Sequence, residues 1–524
     1  MRIRNVLEGV GAALFLLLPF GTHFLLPGYD TLYFHGLPVT RLIGGLLADL
    51  LGLSVLATGF LVAVRHLPPP IQRIFEAIFA GFMLWCIVDF AILVLVHQQY
   101  QVLRQYQIEH WGPIWWKSAF AILPMSGVLA YFLPRVTQPA VRALRLALAA
   151  FAFNAVWIVP QLLHLALLRQ PGQSAPANIL STLTNSGSNQ RIVWILFDEL
   201  SYDQTFDHPA TVIKLPNFDG LRAESVSFSN LSPSGNYTDK IIPSLFLGQR
   251  INQTRSTIDG ELWYNDESQH RWIAYDPNAT LFGLAQRSGG NTGIDGWDIP
   301  YCRILAPVVN VCTRAAVMLP IEDYGASEDK SVLANAADVI EGIMDNLIHY
   351  NFRTKQRAGH LQEYRSIMAH TQALIDDCQV RFVFLHLNVP HQPSIYNRRR
   401  HMLRPGGTYL DNLVLADDTL GVLLQEIDAT PSANRTTVIV SSDHSWRVSL
   451  WDHSAFWSDE DERVSGGRFD DRPVLLIHFP NQKSGSDVNA ALPELVEHDI
   501  IAEMLRGQIN NPADLSVFLS QHSR

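Results

Sequence analysis

The chain is 524 residues long, 48% hydrophobic and only 17% charged, with a formal net charge of −10 at pH 7. Two unlike parts lie under those averages: up to Gln170 there are 11 Lys and Arg against 6 Asp and Glu, net +5, and subtraction from the totals of 39 and 49 leaves 28 against 43 beyond it, net −15. The acidic second part is long enough for one sizeable core, and its charge excludes nucleic acid as a partner, because a phosphate backbone needs a basic face.

Five apolar stretches open the chain, at about residues 10–26, 42–64, 74–96, 118–133 and 144–168, and each reads as a transmembrane helix. The first is read as a retained helix and not a signal peptide: no clean small-x-small cleavage site follows it, and four more spans do. With the N-terminus inside, the cytoplasmic segments carry Arg2, Arg4, Arg65, Arg73, Arg135, Arg142 and Arg145, against Arg41, Arg104, Lys117 and Arg169 on the other side. That bias orients the bundle, and an odd number of spans then puts everything after Leu168 outside the cytoplasmic membrane. The loop 98–117 holds Trp111, Trp115 and Trp116, as a short helix lying on the outer leaflet would. Asp49, Glu76 and Asp89 fall within spans; such carboxylates are often functional, but pairing or neutralisation against the bundle is the reading favoured here.

Residues 170–190 are rich in Ser, Asn, Gly, Pro and Gln and read as a linker. The expected organisation is a transmembrane domain over 1–169, this linker, and a catalytic domain over 191–524. Short apolar runs in the second half read as buried strands: Arg191–Phe197, 292–297, 381–387, Thr436–Ser441 and 473–478. Between them lie helical patterns at 215–224, Thr238–Leu247, 280–287, 332–374 and 409–427. The alternation predicts an α/β domain with a largely parallel sheet. Of the four cysteines, Cys86 and Cys378 read as buried thiols, while Cys302 and Cys312 can pair if the domain is extracytoplasmic.

Ligand sites of open α/β sheets lie beyond the carboxyl ends of strands. Three predicted strands end in reactive residues: Asp198 and Glu199, then Pro390 and His391, then Asp443 and His444. If the strands are neighbours, carboxylates and an imidazole converge on one point, a donor set suited to Zn²⁺ or Mn²⁺. Taken singly, a strand-ending Asp is often only a turn or helix cap. Thr238 opens a predicted helix, where backbone N–H groups suit an anion; as a lone residue it is equally an ordinary N-terminal Thr.

Six segments in order resemble the alkaline phosphatase/sulfatase superfamily: IVWILFDELSYD, LPNFDGLRAESVSFSN, YTDKIIPSLFLG, FLHLNVPHQPSIY, YLDNLVLADDTLGVLLQEI and VIVSSDHSW. Together they span roughly residues 191–480. Sulfatases place Cys or Ser in a C/S-x-P-x-R sequence; here no Cys lies near, and Leu245 stands in the Arg place. A Thr five residues before Pro243, after several apolar helices, is similar to phosphoethanolamine transferases and lipoteichoic acid synthases. The resemblance implies one divalent metal, Zn or Mn. Its ligands would be Asp198 or Glu199, with position favouring Asp198, then Thr238, Asp443 and His444. It implies Thr238 as nucleophile, His391 as the substrate or leaving-group histidine, and His453 as a second substrate histidine. Ser445 and Trp446 replace the usual Gly and Glu after Asp-His. The function implied is transfer of a phospho-headgroup from a membrane phospholipid to an envelope glycan or lipid; the alternatives are a sulfatase-like hydrolase and a non-catalytic lipid-binding regulator.

Overall fold

The computed structural model describes residues 3–25, 39–99, 112–168, 190–256, 261–266, 271–314, 330–348, 352–452, 454, 456–467 and 470–522. The first part is helical: α1 (Ile3–Leu25), α2 (Thr40–Val64), α3 (Pro69–Gln99), α4 (Gly112–Phe132), then α5 (Pro134–Phe151) and α6 (Ala155–Leu167) joined by one tight turn. All five expected stretches fall on these helices. Among the described residues, three stretches are long and apolar enough to cross a membrane, Thr40–Val64, Pro69–Val88 and Pro134–Leu167, while Lys117–Phe132 is shorter. The last begins ten residues earlier than the hydropathy suggested, because Pro134 suits the first turn of a helix. Trp115 and Trp116 belong to α4 itself, not to a separate surface helix. Trp111, most of that loop and the predicted linker fall outside the described residues.

One group of buried charges in the bundle is closed on itself. Arg145 donates to Glu8 at 2.6 and 2.9 Å and pairs with Glu76 at 2.5 Å. Glu76 is therefore paired, as expected. Asp49 is 7% exposed, with one carboxylate oxygen lacking a hydrogen bond, and the side chain of Asp89 lies outside the described residues.

The second part is built on an eight-stranded mixed sheet. Its strands are β1 (Arg191–Phe197), β2 (Val226–Phe228), β3 (Asn291–Gly296), β4 (Val311–Arg314), β5 (Val380–Leu387), β6 (Thr436–Ser441), β7 (Leu475–His478) and β8 (Ser486–Val488). They lie in the order β8-β2-β7-β6-β1-β5-β3-β4. Only the β6–β7 and β7–β2 pairings are antiparallel. At the centre, β1 runs parallel to both β6 and β5. Its residues alternate between two cores. Ile192, Trp194 and Leu196 pack toward α8 (Thr238–Leu247) and α12 (Val496–Leu505). Val193, Ile195 and Phe197 pack toward α7 (Pro216–Ala223), α10 (Phe352–Asp376) and α11 (Tyr409–Ala429). Burial on both faces explains why β1 reads as an unbroken apolar run.

The single helical pattern expected over 332–374 divides into α9 (Val332–Ile348) and α10. The two halves pack differently: α10 covers the sheet, whereas α9 joins the core of the N-terminal helices. Cys302 and Cys312 form a disulfide, with Cα atoms 5.6 Å apart.

Candidate active site

Because β5, β1 and β6 are parallel neighbours, their carboxyl ends deliver Pro390-His391, Asp198-Glu199 and Asp443-His444 to one edge of the sheet. The fourth component comes from α8. Tyr237 is extended (φ −137°, ψ 123°) and the helix starts at Thr238. Ile241, Ile242, Leu245 and Phe246 bury one face of α8 in the core, which fixes where its first turn points. The helix ends at Gly248 with φ 71°, where a Cβ would collide with the His498 ring.

Thr238 Oγ1 donates to Asp443 Oδ2 at 2.7 Å and lies 3.4 Å from His444 Nε2. Asp443 Oδ1 accepts from the backbone N–H of His444 at 2.9 Å and of Glu199 at 3.3 Å, which locks its carboxylate plane. His444 Nδ1 lies 3.0 Å from the Ser445 carbonyl. A carbonyl only accepts, so the proton sits on Nδ1 and Nε2 keeps a free lone pair, the tautomer a metal ligand needs. Nε2 is 3.1 Å from Asp443 Oδ2 and 3.9 Å from Asp198 Oδ1.

Asp198, Asp443 and His444 each offer a ligand atom, and these atoms lie within 4.8 Å of one another. The set fits a divalent cation on two counts. All three side chains are buried, and Asp198 Oδ1 has no hydrogen-bond partner. Burial and the neighbouring Asp443 charge push the Asp198 carboxyl well above its ordinary range, and burial also raises Asp443. Burial and Arg447 hold His444 neutral, down to about 3. Two acids and a neutral imidazole, all out of water, leave negative charge that a cation would balance.

Glu199 points elsewhere. Its backbone is in the left-handed region (φ 64°), and its carboxylate accepts from Arg447 Nε at 2.6 Å and from Trp451 Nε1 at 2.9 Å. Of the two acids expected to compete for the metal, Asp198 faces the cluster and Glu199 faces Arg447. His391 belongs to this second group. Its Nε2 accepts from Arg447 Nη2 at 3.0 Å, and its ring stacks edge-on against Trp297 and Trp451. Burial and the Arg447 charge hold His391 well below the ordinary imidazole range. It is therefore neutral with its proton on Nδ1, so a proton-donor role would have to run through Nδ1. His453 lies outside the described residues.

Sequence reading missed two residues. His386, inside β5, is buried with Nε2 3.6 Å from Asp198 Oδ2 and Nδ1 2.7 Å from the Tyr301 hydroxyl. An imidazole embedded in the run RFVFLHL is the signal that was available. Arg447 bridges Glu199 and His391 and also reaches the Asn236 carbonyl at 3.3 Å, two residues from Thr238.

The chain is similar in structure to a protein of the alkaline phosphatase superfamily from Vibrio parahaemolyticus, at 14% identity and a TM-score of 0.37, over 63% of this chain and 69% of that one. It is also similar to the phosphonate monoester hydrolase of Agrobacterium radiobacter, at 13% identity and a TM-score of 0.36, over 60% and 73%. A third similarity is to the lipoteichoic acid synthase LtaP from Listeria monocytogenes, at 10% identity and a TM-score of 0.38, over 63% and 76%. No family model and no curated protein matches the sequence. Likeness at this distance says nothing of substrate.

Proposed function

We propose that the chain is a membrane-bound, metal-dependent transferase of the alkaline phosphatase/sulfatase type, moving a phospho-headgroup, phosphoethanolamine or phosphoglycerol, from a phospholipid to an envelope glycan or lipid. The observation that carries this reading is the Thr238 hydroxyl, bonded to Asp443 at 2.7 Å at the start of a ten-residue helix and beside His444. A hydroxyl so placed has a carboxylate to take its proton and helix N–H groups to receive a phosphoryl oxygen. A Zn²⁺ or Mn²⁺ ion held by Asp198, Asp443 and His444, with Thr238 alongside, would supply positive charge for the hydroxyl and the phosphoryl group.

In this reading Thr238 Oγ1 forms the new bond to phosphorus, its proton passes to Asp443, and the bond from phosphorus to the diacylglycerol oxygen breaks, that oxygen taking up the proton and leaving as the alcohol. Arg447, with its positive charge beside His391, orients the phosphodiester anion and holds His391 as a fixed wall of the pocket. The acceptor hydroxyl then takes the phosphoryl group from Thr238, regenerating the free side chain. The apolar helices support a lipid donor, and the Cys302–Cys312 disulfide supports a catalytic domain in an oxidising compartment, outside the cytoplasmic membrane, as five spans would place it.

Incubation with phosphatidylethanolamine or phosphatidylglycerol alone should add the headgroup mass to the peptide carrying Thr238. Adding acceptor should discharge it onto that acceptor. Discharge only to water, with acceptors ignored, would make the protein a phosphodiesterase; the absence of any adduct alongside normal turnover would remove Thr238 as nucleophile.

A further inference from the structure

The helix α9 is out of place for a catalytic domain, because it lies between β4 and β5 in sequence yet packs on the membrane helices. Its contact with α2 is close. A Cβ on Gly45 would stand 2.9 Å from Asn335 Cβ, and one on Gly44 would stand 3.0 Å from a Val332 methyl. Val339 and Ile343 sit in the same buried cluster as Leu42, Ile43 and Leu46 of α2.

At 100° per residue the helix divides into three sectors. Asn335, Val339 and Ile343 face α2 and are buried. The adjoining sector carries Leu333 at 77%, Ile340 at 36% and Met344 at 49% exposure. The next carries Asp338, paired with Lys330 at 2.8 Å, and Glu341. An apolar sector between a membrane-helix contact and an acidic sector is the pattern of a helix lying at a bilayer surface. Further along α2, Leu51, Val55 and Leu56 are exposed as well, so both helices present apolar side chains outward.

We propose that α9 is an interfacial helix, seated in the leaflet nearest the catalytic domain, with Leu333, Ile340 and Met344 in contact with acyl chains. It gives the catalytic half a second attachment to the bilayer besides the covalent link after α6. It also sets a short path to the site. The next helix, α10, starts at Phe352 and carries His360, whose ring lies 5.9 Å from that of His391. Eight residues of helix rise only about 12 Å, which is the length of α10 between its first residue and His360. This placement depends on the spans, not on the reaction proposed above.

The test uses the full chain with Cys86→Ala and Cys378→Ala, single cysteines at Leu333, Ile340 or Asp338, and an environment-sensitive fluorophore on each. In phosphatidylcholine vesicles containing doxyl-labelled phosphatidylcholine, the Leu333→Cys and Ile340→Cys labels should be quenched several-fold more than the Asp338→Cys label. Aqueous iodide should reverse that order. Equal iodide quenching at all three positions would overturn the proposal. So would an Ile340→Cys label shielded only by cross-linking to a second copy. Should a labelled variant not fold, the unsubstituted chain in vesicles of a diazirine-bearing phosphatidylcholine serves instead: photolysis should mark the peptide 332–348, and its absence among labelled peptides would sink the idea. Because neither readout involves turnover, failure of the transferase reading leaves this result intact.

Discussion

The helical first part and the sheet-bearing second part both bury charge, and the Arg145 network and the Asp198 cluster resolve it in opposite ways. In the bundle, Arg145 sits between Glu8 and Glu76, with Arg4 also on Glu8 at 2.8 Å, so these four charges meet their opposites, while Asp49 stands apart from them. At the edge of the sheet, Asp198 and Asp443 share their space with neutral imidazoles, and Asp198 Oδ1 is bonded to nothing. The closed set is what a structural network looks like; the open set is what a binding site looks like. The same contrast repeats within the site, where Glu199 is closed by Arg447 and Trp451 while its neighbour Asp198 stays open.

Substitutions can break that contrast. The largest effect is expected at Thr238: Thr238→Ala should lower headgroup transfer by about three orders of magnitude or more, while Thr238→Ser retains part of it, measured with labelled phospholipid. His444→Ala should remove bound metal, read by elemental analysis, and cost about 10²–10³-fold in turnover with the fold retained. Glu76→Ala should do the reverse. It leaves Arg145 half-paired in the bundle and should destabilise by about 1.5–3 kcal/mol, seen as a lower thermal midpoint in detergent, with metal content unchanged. Within the acid pair, Asp198→Asn should lose metal, whereas Glu199→Gln should keep it and lower activity only about tenfold by loosening Arg447. Equal metal loss in both variants would erase the distinction drawn between them.

The most gradual effect concerns pH. Glu497, buried behind the site against Ser441 and Trp194, is pushed by burial from 4.5 up to about 8. The folded chain therefore keeps a proton that the unfolded chain releases above pH 4.5. This contribution is complete below pH 4.5 and is lost as pH rises through about 8, at a slope of up to about 1.4 kcal/mol per pH unit. Glu497→Gln should flatten the fall in thermal midpoint across that window.

What could be read from the sequence follows the same physics. The strands β1 and β6 were legible to the residue because burial on both faces leaves the apolar runs Ile192–Phe197 and Val438–Val440, and Asp198 and Asp443 follow within three residues of those runs. The strands β2 and β8 are three residues each and exist only through their neighbours, so no local pattern announces them. His386 was hidden because a buried histidine in a strand looks like a core residue until Asp198 and Tyr301 are placed beside it. The boundary between α9 and α10 was invisible for another reason. Both have helical spacing, and only the choice of what to pack against, lipid-side helices or sheet, separates them.

The central position of β1 has a consequence for how the protein is made. The strand nearest the membrane helices in sequence waits for partners about 190 and 245 residues later, through pairs such as Ile192 with Phe382 and Arg191 with Thr436. The Thr238–Asp443 hydrogen bond itself closes over 205 residues. Until β5 is synthesised, a strand apolar on both faces has no neighbour to pair with, and until β6 follows, the site lacks Asp443 and His444. A nascent chain halted before Asp443 would thus carry its apolar helices and an unpaired β1 without the candidate site, and be a target for quality control.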